Sequence, residues 1–164
     1  MTSKLFDISG KTALVTGASR GIGLMIARGF VENGVKVYIS SRKADACARA
    51  AEELSKFGTC IPVAHDLGKM DEVKALADDI KSRETKLDFL INNAGAAWAE
   101  PLEKYSEEGW DKLMNVNLKA IFFLTQGLLP LLKAAASKDD PARVVNIGSI
   151  DGILQPFLES YAYS

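Results

Sequence analysis

The sequence is poor in cysteine and nearly free of net charge. Its two cysteines, Cys47 and Cys60, show neither CxxC spacing nor Cys/His metal spacing, so they read as reduced thiols and no metal site is expected. Twenty basic residues stand against twenty-one acidic ones, a formal charge of −1. That balance removes the usual electrostatic reason to expect nucleic acid or a membrane surface as partner. Long hydrophobic runs are missing too. The most apolar stretch, 120–132, is interrupted by Gln126, Gly127 and Pro130 and falls short of the ~20 residues of a membrane span. The first ten residues carry Lys4 and Asp7 and no signal-like apolar run, so a cytoplasmic protein is expected. Repeats, low-complexity segments and linkers are absent, and 164 residues suit one domain over 1–164.

What is present is an alternation. Short apolar runs at 12–16, 35–40, 60–65, 87–92 and 142–147 read as strands. Between them lie helical patterns at 22–33, 44–57, 69–83 and a long one at 106–136. The strands are continuous apolar runs rather than alternating ones, which means burial on both faces. The fold class that follows is α/β: a doubly wound, Rossmann-like parallel sheet with helices on both sides.

After the first strand comes Thr16-Gly-Ala-Ser-Arg-Gly-Ile-Gly23. Glycine in such a strand–turn–helix context allows a tight turn (Gly17), close backbone approach to a pyrophosphate (Gly21) and close helix packing (Gly23). The helix N-terminus adds unpaired N–H groups and the positive end of a dipole. The second strand ends Ile39-Ser-Ser-Arg-Lys43, without the carboxylate that binds a ribose 2′-hydroxyl in NAD-preferring proteins. Arg42 and Lys43 instead suit a 2′-phosphate, with the Ser41 hydroxyl as a further donor, although both charges also make sense as a solvated lead-in to the next helix. Asp66-Leu67 follows the third strand and Asn92-Asn-Ala-Gly95 closes the fourth. Asp66 has a simpler reading as a turn residue that satisfies backbone donors.

The G-x-x-x-G-x-G spacing, the Asn-Asn-Ala-Gly segment, Asn115-Val-Asn-Leu118 and Val145-Asn-Ile-Gly-Ser149 together resemble the short-chain dehydrogenase/reductase family over essentially the whole chain. The Asn-Ile-Gly-Ser segment and a tyrosine pair look most like its NADPH-dependent, rhamnolipid-type β-ketoacyl reductases. The resemblance implies NADP(H) as cofactor, held by Gly17, Ser19, Arg20, Gly21, Ile22, Gly23, Ser41, Arg42, Asp66, Leu67, Asn93, Ala94, Gly95 and Tyr163. It implies Asn117, Ser149 and Tyr163 as catalytic residues: a relay asparagine, a carbonyl-polarising serine and a proton-donating tyrosine. Tyr161 and Tyr163 lie twelve and fourteen positions after Ser149, where thirteen is the commonest family spacing, so the choice between them stays open. The family's lysine would fall at position 167. A chain expected to be incomplete, with C-terminal strands missing, follows, and so does an expectation of inactivity for the 164 residues alone. The implied substrate is a small carbonyl compound, a 3-oxoacyl thioester or similar ketone, and the implied full-length assembly a homodimer or homotetramer. An inactive NADP-binding fragment and an interaction protein on a degenerate Rossmann fold are the alternatives. Trp98, Glu100 and Phe157 stand near the implied substrate pocket or serve as ordinary loop packing.

Overall fold

The computed structural model describes residues 6–150. Five parallel strands, β1 (Thr12–Thr16), β2 (Lys36–Ser41), β3 (Cys60–Ala64), β4 (Phe89–Asn92) and β5 (Arg143–Asn146), form one sheet in the order β3-β2-β1-β4-β5. Around it run α1 (Gly21–Glu32), α2 (Ala44–Leu54), α3 (Met70–Arg83), α4 (Glu107–Met114) and α5 (Ala120–Ala135).

Successive side chains of a strand point to opposite faces, and the core divides accordingly. Ala13, Val15, Val37, Ile39, Phe89 and Ile91 pack with Ala27 and Val31 of α1 and with Cys47, Ala51 and Leu54 of α2. Leu14, Tyr38 and Leu90 face the other way, onto Val73, Leu76 and Ile80 of α3 and Leu124, Leu128 and Leu132 of α5. β1, β2 and β4 are therefore buried on both sides, which is why their sequences show no alternation, whereas the expected two-sided burial is not met at β3 and β5.

The strand order reverses between β1 and β4. In an open α/β sheet such a reversal splays the loops at the carboxyl ends apart and leaves a crevice. The glycine turn leaves β1 there and the Asn-Ala-Gly turn leaves β4.

The long helical pattern at 106–136 is not one α-helix. Asn115–Lys119 forms a π-helical turn between α4 and α5, so the hydrogen-bond ladder widens at Asn117. By length and composition the continuous run Glu107–Ala135, which holds an 18-residue window of mean hydropathy 1.3, is enough to cross a bilayer. One face of it packs on the fold: Ala120, Leu124, Leu128, Leu131 and Leu132 are buried, and Gly127 packs so near α3 that a β-carbon there would lie 2.9 Å from Ala77 Cβ, while Phe122, Phe123 and Leu129 stay exposed. α1 begins at Gly21 and ends at Glu32, with Gly34 turning the chain at φ +76°. α2 ends at Leu54, short of the expected 57. Among the described residues β5 is an edge strand of the sheet, and its residues are all exposed.

Candidate functional site

A cleft of about 860 Å³ opens at the reversal point. Its floor is the turn after β1. Gly17 has φ +66°, and a β-carbon on it would lie 2.8 Å from Ala94 Cα, so both conformation and space require glycine. Gly21 has φ +59° and nothing within 4 Å of where a β-carbon would stand, so its backbone is open to an incoming group. α1 starts immediately afterwards with no side-chain cap and no acidic residue in its first turn. Its first N–H groups and the positive dipole end remain available for anions.

The turn after β4 is bolted to this floor. Thr16 Oγ1 accepts from the backbone N–H groups of Asn93 and Ala94, each at 3.0 Å, and donates to Ile91 O at 3.3 Å. Asn93 Nδ2 donates back to Thr16 O at 2.9 Å and to Gly17 O at 3.3 Å. The Asn93 side chain thus joins the two turns; its backbone and neighbours Ala94 and Gly95 line the cleft. Farther along, Asn117 clamps the same segment: its Nδ2 donates to Ala96 O at 2.9 Å and its Oδ1 accepts from Ala96 N at 2.8 Å. The asparagine that is unfavourable in a regular helix is therefore neither exposed nor idle. It sits in the π-helical turn and uses both ends of its amide on another segment's backbone.

A third wall comes from the ends of β2 and β3. Ser41 and Arg42 line the cleft, and no carboxylate occupies the end of β2. Ser41 Oγ donates to Lys43 O at 3.2 Å, so its proton is engaged within the turn. Asp66 serves the turn and remains part of the wall: Oδ1 accepts from Gly68 N at 3.1 Å, while Oδ2 meets no partner among the described residues. His65 lies beside it, its Nδ1 3.0 Å from Glu72 Oε2.

The predicted cofactor residues Gly17, Ser19, Arg20, Gly21, Ser41, Arg42, Asp66, Leu67, Asn93, Ala94 and Gly95 all line the cleft. Ile22 and Gly23 do not. Ile22 is 62 % exposed on the outer side of α1, and Gly23 is buried beneath the turn. Ser149 stands three residues past β5, at the same carboxyl edge of the sheet; Ile147 N donating to Asn92 O at 2.9 Å sets the direction of that segment. Tyr161, Tyr163 and Phe157 lie outside the described residues. Sequence reasoning missed Ser40, His65, Gly68, Lys69, Ala96, Ala97, Glu108, Lys112 and Val116 as wall residues. For the last three the available signal was their four-residue spacing, which puts them on one helix face.

The residues suit a dinucleotide. The glycine turn offers bare backbone to a pyrophosphate, and Arg42 offers charge for a further phosphate. The Ser40 hydroxyl, in the cleft wall, is buried without a partner among the described residues, a polar group that the fold itself does not satisfy. No group of three or more potential metal ligands occurs among the described residues.

Comparison with known proteins agrees with this geometry. A family model described as short chain dehydrogenase matches residues 11–164. The rhamnolipids biosynthesis 3-oxoacyl-[acyl-carrier-protein] reductase of Pseudomonas aeruginosa is 46 % identical over 158 residues, 96 % of this chain and 62 % of the relative. The solved NADP active-site complex of RhlG from Pseudomonas aeruginosa superposes with a TM-score of 0.92 at 46 % identity, again over 96 % of this chain and 62 % of that one. L-sorbose reductase from Gluconobacter frateurii, solved with NADPH and L-sorbose, gives a TM-score of 0.87 at 31 % identity, over 95 % of this chain and 59 % of that one. The chain thus spans about three-fifths of the length of these relatives.

Proposed function

The chain belongs to the short-chain dehydrogenase family, and from that premise we propose that it is the dinucleotide-binding domain, over 1–164, of a cytoplasmic, NADPH-dependent carbonyl reductase. The observation that carries the choice of cofactor is the wall at the end of β2. Where an acidic residue would hold a 2′-hydroxyl, Ser41 and Arg42 face the cleft.

Bound in the cleft, the nicotinamide supplies the hydride. The protein's own residues bind and orient. The glycine turn and the N-terminus of α1 hold the pyrophosphate, and Arg42 pairs with the 2′-phosphate. Asp66 and Leu67 flank the adenine. Ser149 donates to the carbonyl oxygen and stabilises the charge that develops there. Tyr163 gives the proton that completes the alcohol, and a water held by the Asn117 backbone carbonyl relays its replacement. A phenol of pKa near ~10 needs an adjacent cation to act at neutral pH. In the resembled family a lysine four residues after the tyrosine supplies that cation. The substrate is a 3-oxoacyl thioester or similar ketone, a reading that rests on the Pseudomonas aeruginosa relative. Full-length copies associate as a dimer or tetramer.

The test is calorimetric titration of NADP⁺ and NAD⁺ into the chain and into Arg42→Ala. Preference for NADP⁺ in the parent, lost selectively in the variant, is the expected result. Equal affinities in the parent, or a uniform loss in Arg42→Ala, would overturn the cofactor assignment.

A further inference from the structure

Lys112 is a cation in the cleft wall that has no part in the reading above. Lys112 lines the wall with Glu108 and Val116, and residues spaced by four stand one above another on a helix, so the three form a stripe along α4 and the π-helical turn. Val116 fixes where the stripe looks. A β-carbon on Gly68 would lie 3.7 Å from Val116 Cγ2, so the stripe faces the turn after β3 that carries Asp66.

Lys112 forms no ion pair with a carboxylate among the described residues. Its Nζ stands instead 4.6 Å from the centre of the Trp98 ring. A ring face attracts the charge without neutralising it, and a lysine has three N–H donors to direct elsewhere.

The ring is itself held. A β-carbon on Gly109 would lie 2.4 Å from Trp98 Cδ1 and Nε1, so the indole occupies the space that a side chain at 109 would take. On the other side Glu100 ties the segment down: Oε2 accepts from Ser106 N at 2.8 Å and from Ser106 Oγ at 2.7 Å. Ser106 Oγ in turn caps α4 by accepting from Gly109 N at 3.2 Å. The Ser106 N–H and hydroxyl hold the Glu100 carboxyl below the usual range. The Trp98 indole N–H adds a weaker pull from outside good hydrogen-bond geometry. With Asn117 clamping Ala96, residues 96–106 form an arch fastened at both feet.

We propose that Lys112 recognises a phosphate group of the nucleotide, and that Glu100 is the positioning residue that keeps Trp98, and through it Lys112, at the wall. The inference rests on the nucleotide-binding reading. Two phosphates share the required chemistry, the 2′-phosphate and the pyrophosphate, and NAD⁺, which lacks the first, separates them.

The experiment titrates NADP⁺, NAD⁺ and adenosine into the chain, Lys112→Gln, Lys112→Arg and Glu100→Gln by calorimetry at two salt concentrations. Lys112→Gln is expected to weaken dinucleotide binding about tenfold, the size of one lost hydrogen bond to a charged group. It should also flatten the salt dependence and leave adenosine unaffected, while Lys112→Arg restores most of the affinity. Loss for NADP⁺ alone assigns the 2′-phosphate; equal loss for both dinucleotides assigns the pyrophosphate. An unchanged affinity, or an equal loss for adenosine, overturns the proposal while the nucleotide reading stands. A parent chain that binds neither dinucleotide overturns both. For Glu100, the readout is Trp98 emission in a Trp110→Phe background. Glu100→Gln should shift the emission and weaken NADP⁺ binding about threefold, a fraction of one such bond; unchanged emission and affinity would remove Glu100 from the arrangement.

Discussion

Gly23 lies directly beneath Asn93: a β-carbon on the glycine would stand 2.4 Å from Asn93 Nδ2 and 2.6 Å from Gly17 O. The third glycine of the turn thus makes room for the amide that ties β4 to the turn after β1. It does not touch the cleft. Gly23→Ala should therefore displace Asn93, breaking its bonds to Thr16 O and Gly17 O. A loss of about 1–3 kcal/mol is expected for such overpacking. Urea denaturation measures it, and a variant as stable as the parent would mean that the turn yields freely.

Asn117 offers a second handle on the same crevice. Asn117→Ala removes both bonds to Ala96 and leaves that N–H and carbonyl without their partners. Hydrogen exchange at the Ala96 amide should accelerate more than that of the β1 amides, and stability should fall by about 1–3 kcal/mol. Uniform acceleration across the sheet would indicate global destabilisation rather than release of the arch.

Burial, with a smaller push from neighbouring Cys47, raises the Cys60 thiol to about 12. An unfolded chain ionises a cysteine near ~8.5, so above that pH it releases a proton that the folded chain retains. Cys60 therefore costs stability progressively as pH rises from there to about 12. Chemical denaturation of the parent and of Cys60→Val between pH 8 and 11 should show a shallower decline in the variant. Parallel declines would refute the assignment. At neutral pH the same thiol should resist alkylation until the protein unfolds.

β5 carries Val144 and Val145 at 42 % exposure each, and no described strand pairs with its outer edge. An edge of this kind is a template for another chain. Sedimentation velocity on the 164-residue chain should show concentration-dependent association that Val144→Lys with Val145→Lys suppresses. A monomer at every concentration would mean that the edge is covered.

The sequence by itself determined the features that depend on neighbours along the chain. Continuous apolar strands require burial on both faces, and glycines at 17 and 21 mark where the backbone takes positive φ. The end of β2 lacks a carboxylate whatever the fold does with it. Tertiary structure decided everything that depends on which atoms meet across the sheet. Asn93 binds the opposite turn because the strand order brings β4 beside β1. Ile22, apolar and next in sequence to the cleft glycine Gly21, faces outward because the helix rotates it 100° from each neighbour. Asn117 closes on Ala96, twenty-one positions earlier in the chain, and Trp98 fits only because residue 109 has no side chain. Such contacts between distant segments leave no period or spacing in a single sequence, since each is fixed by the packing of whole elements rather than by the residues flanking it.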